Sequence, residues 1–240
     1  MTIRALKLIA KVLSLKAPPR SLVYSARNKL NFWLGNGDRR FEFEKRYLEH
    51  GDYWNYETSD YERAKYRRTM DCIVALRSGN ASVLEVGCSV GVFTELLAAQ
   101  FEQVTAIDVS REALTLAARR HSRPNIRFVR SDIREIPATS RYNVIVCAEI
   151  LYYIPEEDVT RVVNKLADLL SDQGIVVTVS GVTGSKSDAK YFDDWNDVLS
   201  ERFERLALDD FEEGNRPYRI AAFAIDRARD QPPRSGPVPM

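Results

Sequence analysis

Short apolar blocks separated by polar stretches of helical period dominate the middle of the chain. Val83–Val86, Val104–Ile107, Ile126–Val129, Val144–Cys147 and Ile175–Val179 are brief and rich in β-branched residues. Blocks of this kind suit strands buried on both faces, as a parallel sheet requires. Residues 92–101, 110–121 and 156–171 between them read as helices, and Asp188–Ser200 as another. Such alternation implies right-handed crossovers and one parallel sheet covered on both sides. Two further strands, 203–208 and 218–225, flank an acidic Gly-Asn loop at Asp209–Asn215, the pattern of an antiparallel hairpin. The expected fold is therefore α/β, doubly wound, with a mostly parallel seven-stranded sheet and a helical amino-terminal extension.

Upstream of the sheet, residues 41–76 are largely helical in pattern and dense in aromatics. From Ser59 onward a helix is well marked. Ser59 or Asp60 serves as N-cap, Ala64, Met70, Ile73 and Val74 are apolar positions, and Ser78-Gly79-Asn80 suits a left-handed exit. Residues 2–16 form an amphipathic pattern, with Arg4, Lys7 and Lys11 on one side and Ile3, Leu6, Ile9 and Leu13 on another, stopped by Pro18-Pro19. That helix either lies peripherally on an anionic membrane surface or packs as an ordinary solvated helix. A second helix is expected over 20–34, followed by a turn at Gly35–Asp38. Four prolines and few apolar residues after Arg227 predict a disordered tail. The division is thus a basic extension (1–40), a helical cap (41–80), a ligand-binding α/β domain (81–226) and a tail (227–240).

Charge and composition narrow the chemistry. The 240 residues carry a net charge of +1, yet residues 1–40 hold nine basic side chains against Asp38 alone, leaving the body acidic. An acidic body is unsuited to wrapping nucleic acid. Three cysteines without a CxxC spacing, and no cleavable leader pattern, point to a reducing cytoplasm, with membrane contact only at the periphery. His50 and His121 stand apart from any ligand cluster, so no metal is expected.

The strongest chemical signal is Val83-Leu84-Glu85-Val86-Gly87-Cys88-Ser89-Val90-Gly91, a strand entering a small-residue turn and then a helix. Gly87 and Gly91 place no Cβ between backbone amides and a ligand. Asp108, twenty-one residues after Gly87, ends the second strand, where an acid can take both hydroxyls of a ribose. Val109 follows it, Asp132-Ile133 follows the third strand, and Glu149 follows the fourth. All lie at carboxyl ends of successive strands, the edge where open α/β sheets bind ligands.

In these motifs the chain resembles the class I S-adenosylmethionine-dependent methyltransferases across about Ala81–Asp226, whose turn reads Glu/Asp-x-Gly-x-Gly-x-Gly. Glu85, Gly87 and Gly91 match, and Ser89 stands at the middle glycine. The resemblance implies S-adenosylmethionine as cofactor, with Gly87, Cys88 and their neighbours at its methionine part, Asp108 at the ribose and Asp132-Ile133 at the adenine. Tyr61-Glu62-Arg63-Ala64-Lys65-Tyr66, Leu84-Glu85-Val86-Gly87-Cys88 and Ala148-Glu149-Ile150-Leu151-Tyr152-Tyr153 are more closely similar to the rhizobial nodulation protein S family. That resemblance covers about Tyr53–Ser180 and implies N-methylation of a de-acetylated chitooligosaccharide or related small acceptor. O-methylation of a sugar hydroxyl is the alternative, and a non-catalytic methyltransferase-like protein is the reading of another class.

Methyl transfer asks chiefly for alignment of a nucleophile with the activated carbon. Glu149 is the expected base, with Tyr152 and Tyr153 orienting the acceptor; a hydrogen bond to the acceptor or a turn cap are its other roles. His50 is a second candidate base. Trp54, Tyr56, Tyr61, Arg63 and Tyr66 suit a cap over the cofactor or a sugar-stacking surface, and packing on the sheet accounts for them equally. A nicotinamide-dependent dehydrogenase would want Gly-x-Gly-x-x-Gly, and the turn lacks two of those glycines. An aminopropyl transferase would carry paired aspartates where Glu149-Ile150 stands.

Overall fold

Four of the β-branched blocks pair as parallel strands buried on both faces, whereas the fifth, Ile126–Val129, pairs at the edge of the sheet and is only partly covered. The computed structural model describes residues 39–121, 123–181, 195–213 and 216–226. The expected helices at 2–16 and 20–34, the turn at 35–38 and the tail from 227 lie outside the described residues. Helices α1 (Arg40–His50) and α2 (Asp60–Leu76) come first. They are followed by β1 (Ser82–Val86), α3 (Val92–Ala98), β2 (Gln103–Asp108), α4 (Arg111–Arg120) and β3 (Ile126–Arg130). Then come β4 (Tyr142–Ala148), α5 (Val159–Leu169), β5 (Leu170–Gly181), β6 (Phe203–Glu213) and β7 (Arg216–Ile225).

The seven strands run in the order β3-β2-β1-β4-β5-β7-β6. β1 to β5 pair in parallel, Val83 lying opposite Val104 on one side and Val144 on the other. β7 is antiparallel to both β5 and β6. Chain direction across the sheet reverses between β1 and β4, so the crossover helices leave a crevice at those strands' carboxyl ends. Successive residues of β1 serve opposite faces. Val83 packs with Ile73, Phe93 and Leu97 of α2 and α3, whereas Leu84 packs with Val162 and Leu166 of α5 and with Trp195. Each is fully buried, worth about 1.5–3 kcal/mol of apolar transfer per side chain.

Local signals explain the helix starts. Ser59 Oγ accepts from Glu62 N at 3.3 Å, and Ser110 Oγ accepts from Ala113 N at 3.1 Å, each satisfying a first-turn donor. Four boundaries depart from the sequence pattern. The region 41–76 is broken between α1 and α2, where Gly51 and Asn55 take positive φ of 63° and 55°. Helix α2 ends at Leu76 with Arg77 extended, so no left-handed exit forms there, and Gly79 takes its positive φ in the loop beyond. Residues 156–158 form a 3₁₀ turn before α5, and Leu170 already pairs with Tyr142 in β5, because its side chain is buried in the core. The acidic stretch from Asp209 continues β6 as far as Glu213, stabilised by an Arg219–Asp210 ion pair and by Phe211 stacked on Tyr218 at 5.3 Å. An edge strand tolerates such acids because its outer flank faces water. Of the helix expected at Asp188–Ser200, the described residues are helical from 195, and the helix runs on to 202.

Candidate functional site

The crevice is framed by the turn after β1. Gly87 N and Cys88 N both donate to Ile107 O, at 2.8 and 3.0 Å, tying the turn to β2. Gly87 takes φ 79°, and a Cβ there would meet Ile150 Cγ2 at 2.2 Å, so only glycine fits. Gly91, at φ 82°, starts α3. Ser89 adopts φ 51°, a left-handed conformation that side chains other than glycine rarely take.

Two buried carboxylates stand under the turn. Glu85 accepts from Thr94 Oγ1 at 2.5 Å, and burial pushes its acid up to about 8, with Thr94 opposing and Asp108 reinforcing. Asp108 accepts from Ser89 N at 2.9 Å and from Ser110 N at 2.8 Å. Burial raises it to about 6 against the pull of those backbone donors. Asp132 behaves oppositely. Burial works to raise it, but Arg134, donating at 2.8 Å to one oxygen and 2.6 Å to the other, holds it below the usual carboxylate range. Ile133 is buried beside it, and Val109 lends its carbonyl to Arg130 at 3.2 Å.

A recess opens beside the turn, with Gly87, Cys88 and Ser89 on one wall. Tyr56, Tyr66 and Phe93 form an aromatic side, and Glu62, Lys65, Glu85 and Glu149 supply the ionisable groups. Lys65 is its centre. The ammonium is 3% exposed, 2.8 Å from Glu149 Oε1 and 2.9 Å from Glu62 Oε2. Burial works against its charge, yet the two carboxylates outweigh burial and leave its pKa above the ordinary value. Glu149, at φ 57°, also accepts from Gly181 N at 3.0 Å and from Tyr152 Oη at 3.1 Å. Both its oxygens therefore already carry donors.

The sequence-derived candidates divide into three groups. Glu85, Gly87, Cys88, Ser89, Glu149, Tyr56 and Tyr66 line the recess. Asp108 joins through Ser89 and Tyr152 through Glu149, while Tyr153 packs on Phe43 at 4.8 Å and on Tyr152 at 4.4 Å. Trp54 is stacked on Tyr56 at 5.9 Å and Tyr61 lies 5.0 Å from the Lys65 ammonium, so both back the recess, whereas Arg63 sits apart, bonded to Asp60 and Glu57 O on the exposed side of α2. His50 is exposed beside Glu49 and Tyr53, away from the recess. The pattern missed Tyr47 and Glu44 and placed Lys65 and Glu62 only among the charged groups of the cap, although two such residues three apart on the inner face of an amphipathic helix were a usable signal for a buried pair. Among the described residues, no group of His, Cys, Asp and Glu could hold a metal, and no helix is long and apolar enough to cross a membrane.

Sheet order, antiparallel seventh strand and glycine turn at the crevice define the class I methyltransferase fold. Within that class, the chain belongs to the nodulation protein S (NodS) family, whose model matches residues 37–187. Nodulation protein S of Bradyrhizobium diazoefficiens is 34% identical over 136 residues, which is 56% of this chain and 63% of the relative. The Rhizobium tropici protein of the same name is 32% identical over 57% of this chain and 58% of its own. The chain thus spans about three fifths of these curated relatives. The crystal structure of N-methyltransferase NodS from Bradyrhizobium japonicum, in complex with S-adenosyl-L-homocysteine, superposes with a TM-score of 0.66 at 22% identity, covering 79% of this chain and all of that one. A likeness at that identity establishes the fold.

Proposed function

We propose that the protein is an S-adenosylmethionine-dependent N-methyltransferase whose acceptor is the amine of an amino sugar, of the de-acetylated chitooligosaccharide kind. The observation that carries this reading is the charge of the recess. Glu62 and Glu149 outnumber Lys65, and that surplus of negative charge beside three aromatic rings suits a ligand bearing an ammonium and a sulfonium. Family membership supports the acceptor class. In this reading residues 81–226 carry the cofactor and residues 41–80 cover it.

Glu85, Gly87, Cys88, Ser89 and Gly91 surround the methionine part, Asp108 and Val109 hold the ribose, and Asp132 and Ile133 close the adenine end. When bound, S-adenosylmethionine supplies an electrophilic methyl on its sulfonium. An acceptor amine needs only to be neutral and aligned; its surplus proton leaves to water after transfer. Glu149 departs here from the expected base. With Lys65, Gly181 and Tyr152 already donating to its oxygens, it holds Lys65 and the Tyr152 hydroxyl in place instead of removing a proton. Tyr152 and Tyr153 form the acceptor side.

Incubation with methyl-labelled cofactor and a chitooligosaccharide bearing one free amine tests the reading. Label on that nitrogen is expected; label on a hydroxyl, or none, overturns it. Asp108→Ala is expected to abolish cofactor binding, whereas Glu149→Gln keeps binding and the pH profile of kcat while lowering kcat about tenfold. Loss of the acidic limb of that profile would restore Glu149 as the base.

A further inference from the structure

Helix α1 grips the two serines that hold Asp108. Tyr47 Oη donates to Ser89 Oγ at 2.6 Å. Glu44, three residues earlier and on the same helix face, accepts from Ser110 Oγ at 2.6 Å and from Glu112 N at 3.2 Å. The backbone N–H groups of these same serines are the donors to the two Asp108 oxygens. Tyr47 and Glu44 are 5% and 7% exposed, so both hydrogen bonds form away from bulk water, where they constrain geometry most. Ser89 meanwhile occupies a left-handed backbone conformation that glycine would take without strain. A hydroxyl at that place has one structural use in the described residues, which is to meet Tyr47.

We propose that Tyr47 and Glu44 are positioning residues for the Asp108 carboxylate, and that Ser89 replaces the wider motif's middle glycine in order to receive the Tyr47 hydroxyl. Helix α1, outside the sheet, is then part of the cofactor site. The carboxylate it aims is the one that grips the ribose, so the inference rests on the cofactor reading above.

Calorimetric titration of the full chain with S-adenosylhomocysteine and with its 2′-deoxyadenosine analogue tests it. Tyr47→Phe and Ser89→Gly are each expected to weaken S-adenosylhomocysteine about tenfold, with the double variant no weaker than either single. The deoxy analogue, which lacks one of the two hydroxyls that Asp108 takes, should lose clearly less across the same variants, about threefold or under. Glu44→Gln should repeat the pattern from the other serine. Ser89→Gly relieves the left-handed strain, so it keeps the test sound if Tyr47→Phe folds poorly. A wild-type chain that binds no S-adenosylhomocysteine overturns both readings. Wild-type binding with unchanged variants, additive losses, or equal losses on both ligands overturns the positioning role alone.

Discussion

Replacing Lys65 with methionine removes the one cation that lines the recess among the described residues and keeps Glu62 and Glu149. The side chains of Lys65, Glu62 and Glu149 are 4%, 7% and 19% exposed, so Glu62 is stranded in nearly dry surroundings. Deleting one partner of a buried ion pair costs about 3–5 kcal/mol. Glu149 keeps its donors from Gly181 and Tyr152 and some water, which lowers the expected cost to about 2–4 kcal/mol. At about 2–4 °C per kcal/mol for a chain of this size, Tm should fall by roughly 5–15 °C. In the wild type, the raised lysine pKa contributes stability that is fully present below the ordinary lysine range and lost only above it. Thermal melts of Lys65→Met and Lys65→Met/Glu62→Gln at pH 5 and pH 8 measure this. The double variant, relieved of the stranded charge, should regain at least about half of the loss at pH 8. A Tm within about 2 °C of wild type for the single variant, or a further additive fall in the double, refutes the account of the recess as an ion-paired core.

Glu85 carries an acid raised to about 8, so the folded chain holds a proton that the unfolded chain has shed, and stability declines between about pH 4.5 and 8. Glu85→Gln should flatten that decline, by an amount on the order of a few kcal/mol, in denaturant titrations from pH 5 to 9; an unaltered slope would place the proton elsewhere. Gly87→Ala forces a Cβ to 2.2 Å from Ile150 Cγ2 at a φ of 79°, and should cost about 2–4 kcal/mol in urea unfolding. Shortening Ile150 to alanine alongside should recover part of it. Asp132 is held below its usual range, so it contributes stability above that range that is lost as the pH falls through its folded value. Arg134→Ala should therefore raise the midpoint of acid unfolding and cost about 1–3 kcal/mol at neutral pH, read by circular dichroism.

The fold was readable wherever its causes are local. β1 to β5 announce themselves as β-branched blocks, and α2 and α4 by the serines that cap them, because burial and first-turn donors are written in neighbouring residues. Acids at three successive strand ends marked one edge of the sheet for the same reason, since each follows its own strand directly. The reach of β6 to Glu213 was not readable. Its acids look like a loop until Arg219 and Tyr218 of β7 stand opposite them.

Side-chain identity in the sequence determined which chemistry was available: the glycine turn, Asp108, Glu149 and the aromatics of α2. Tertiary structure alone decided which groups meet. Lys65 lies 84 residues from Glu149, Tyr47 42 from Ser89, and Glu44 66 from Ser110. No periodicity links positions so far apart, because hydrophobic patterning specifies which face of a helix is buried and says nothing of what waits on the other side. Those pairings turn Glu149 from a free carboxylate into one half of an ion pair, and Ser89 from a departure in a motif into a contact with α1.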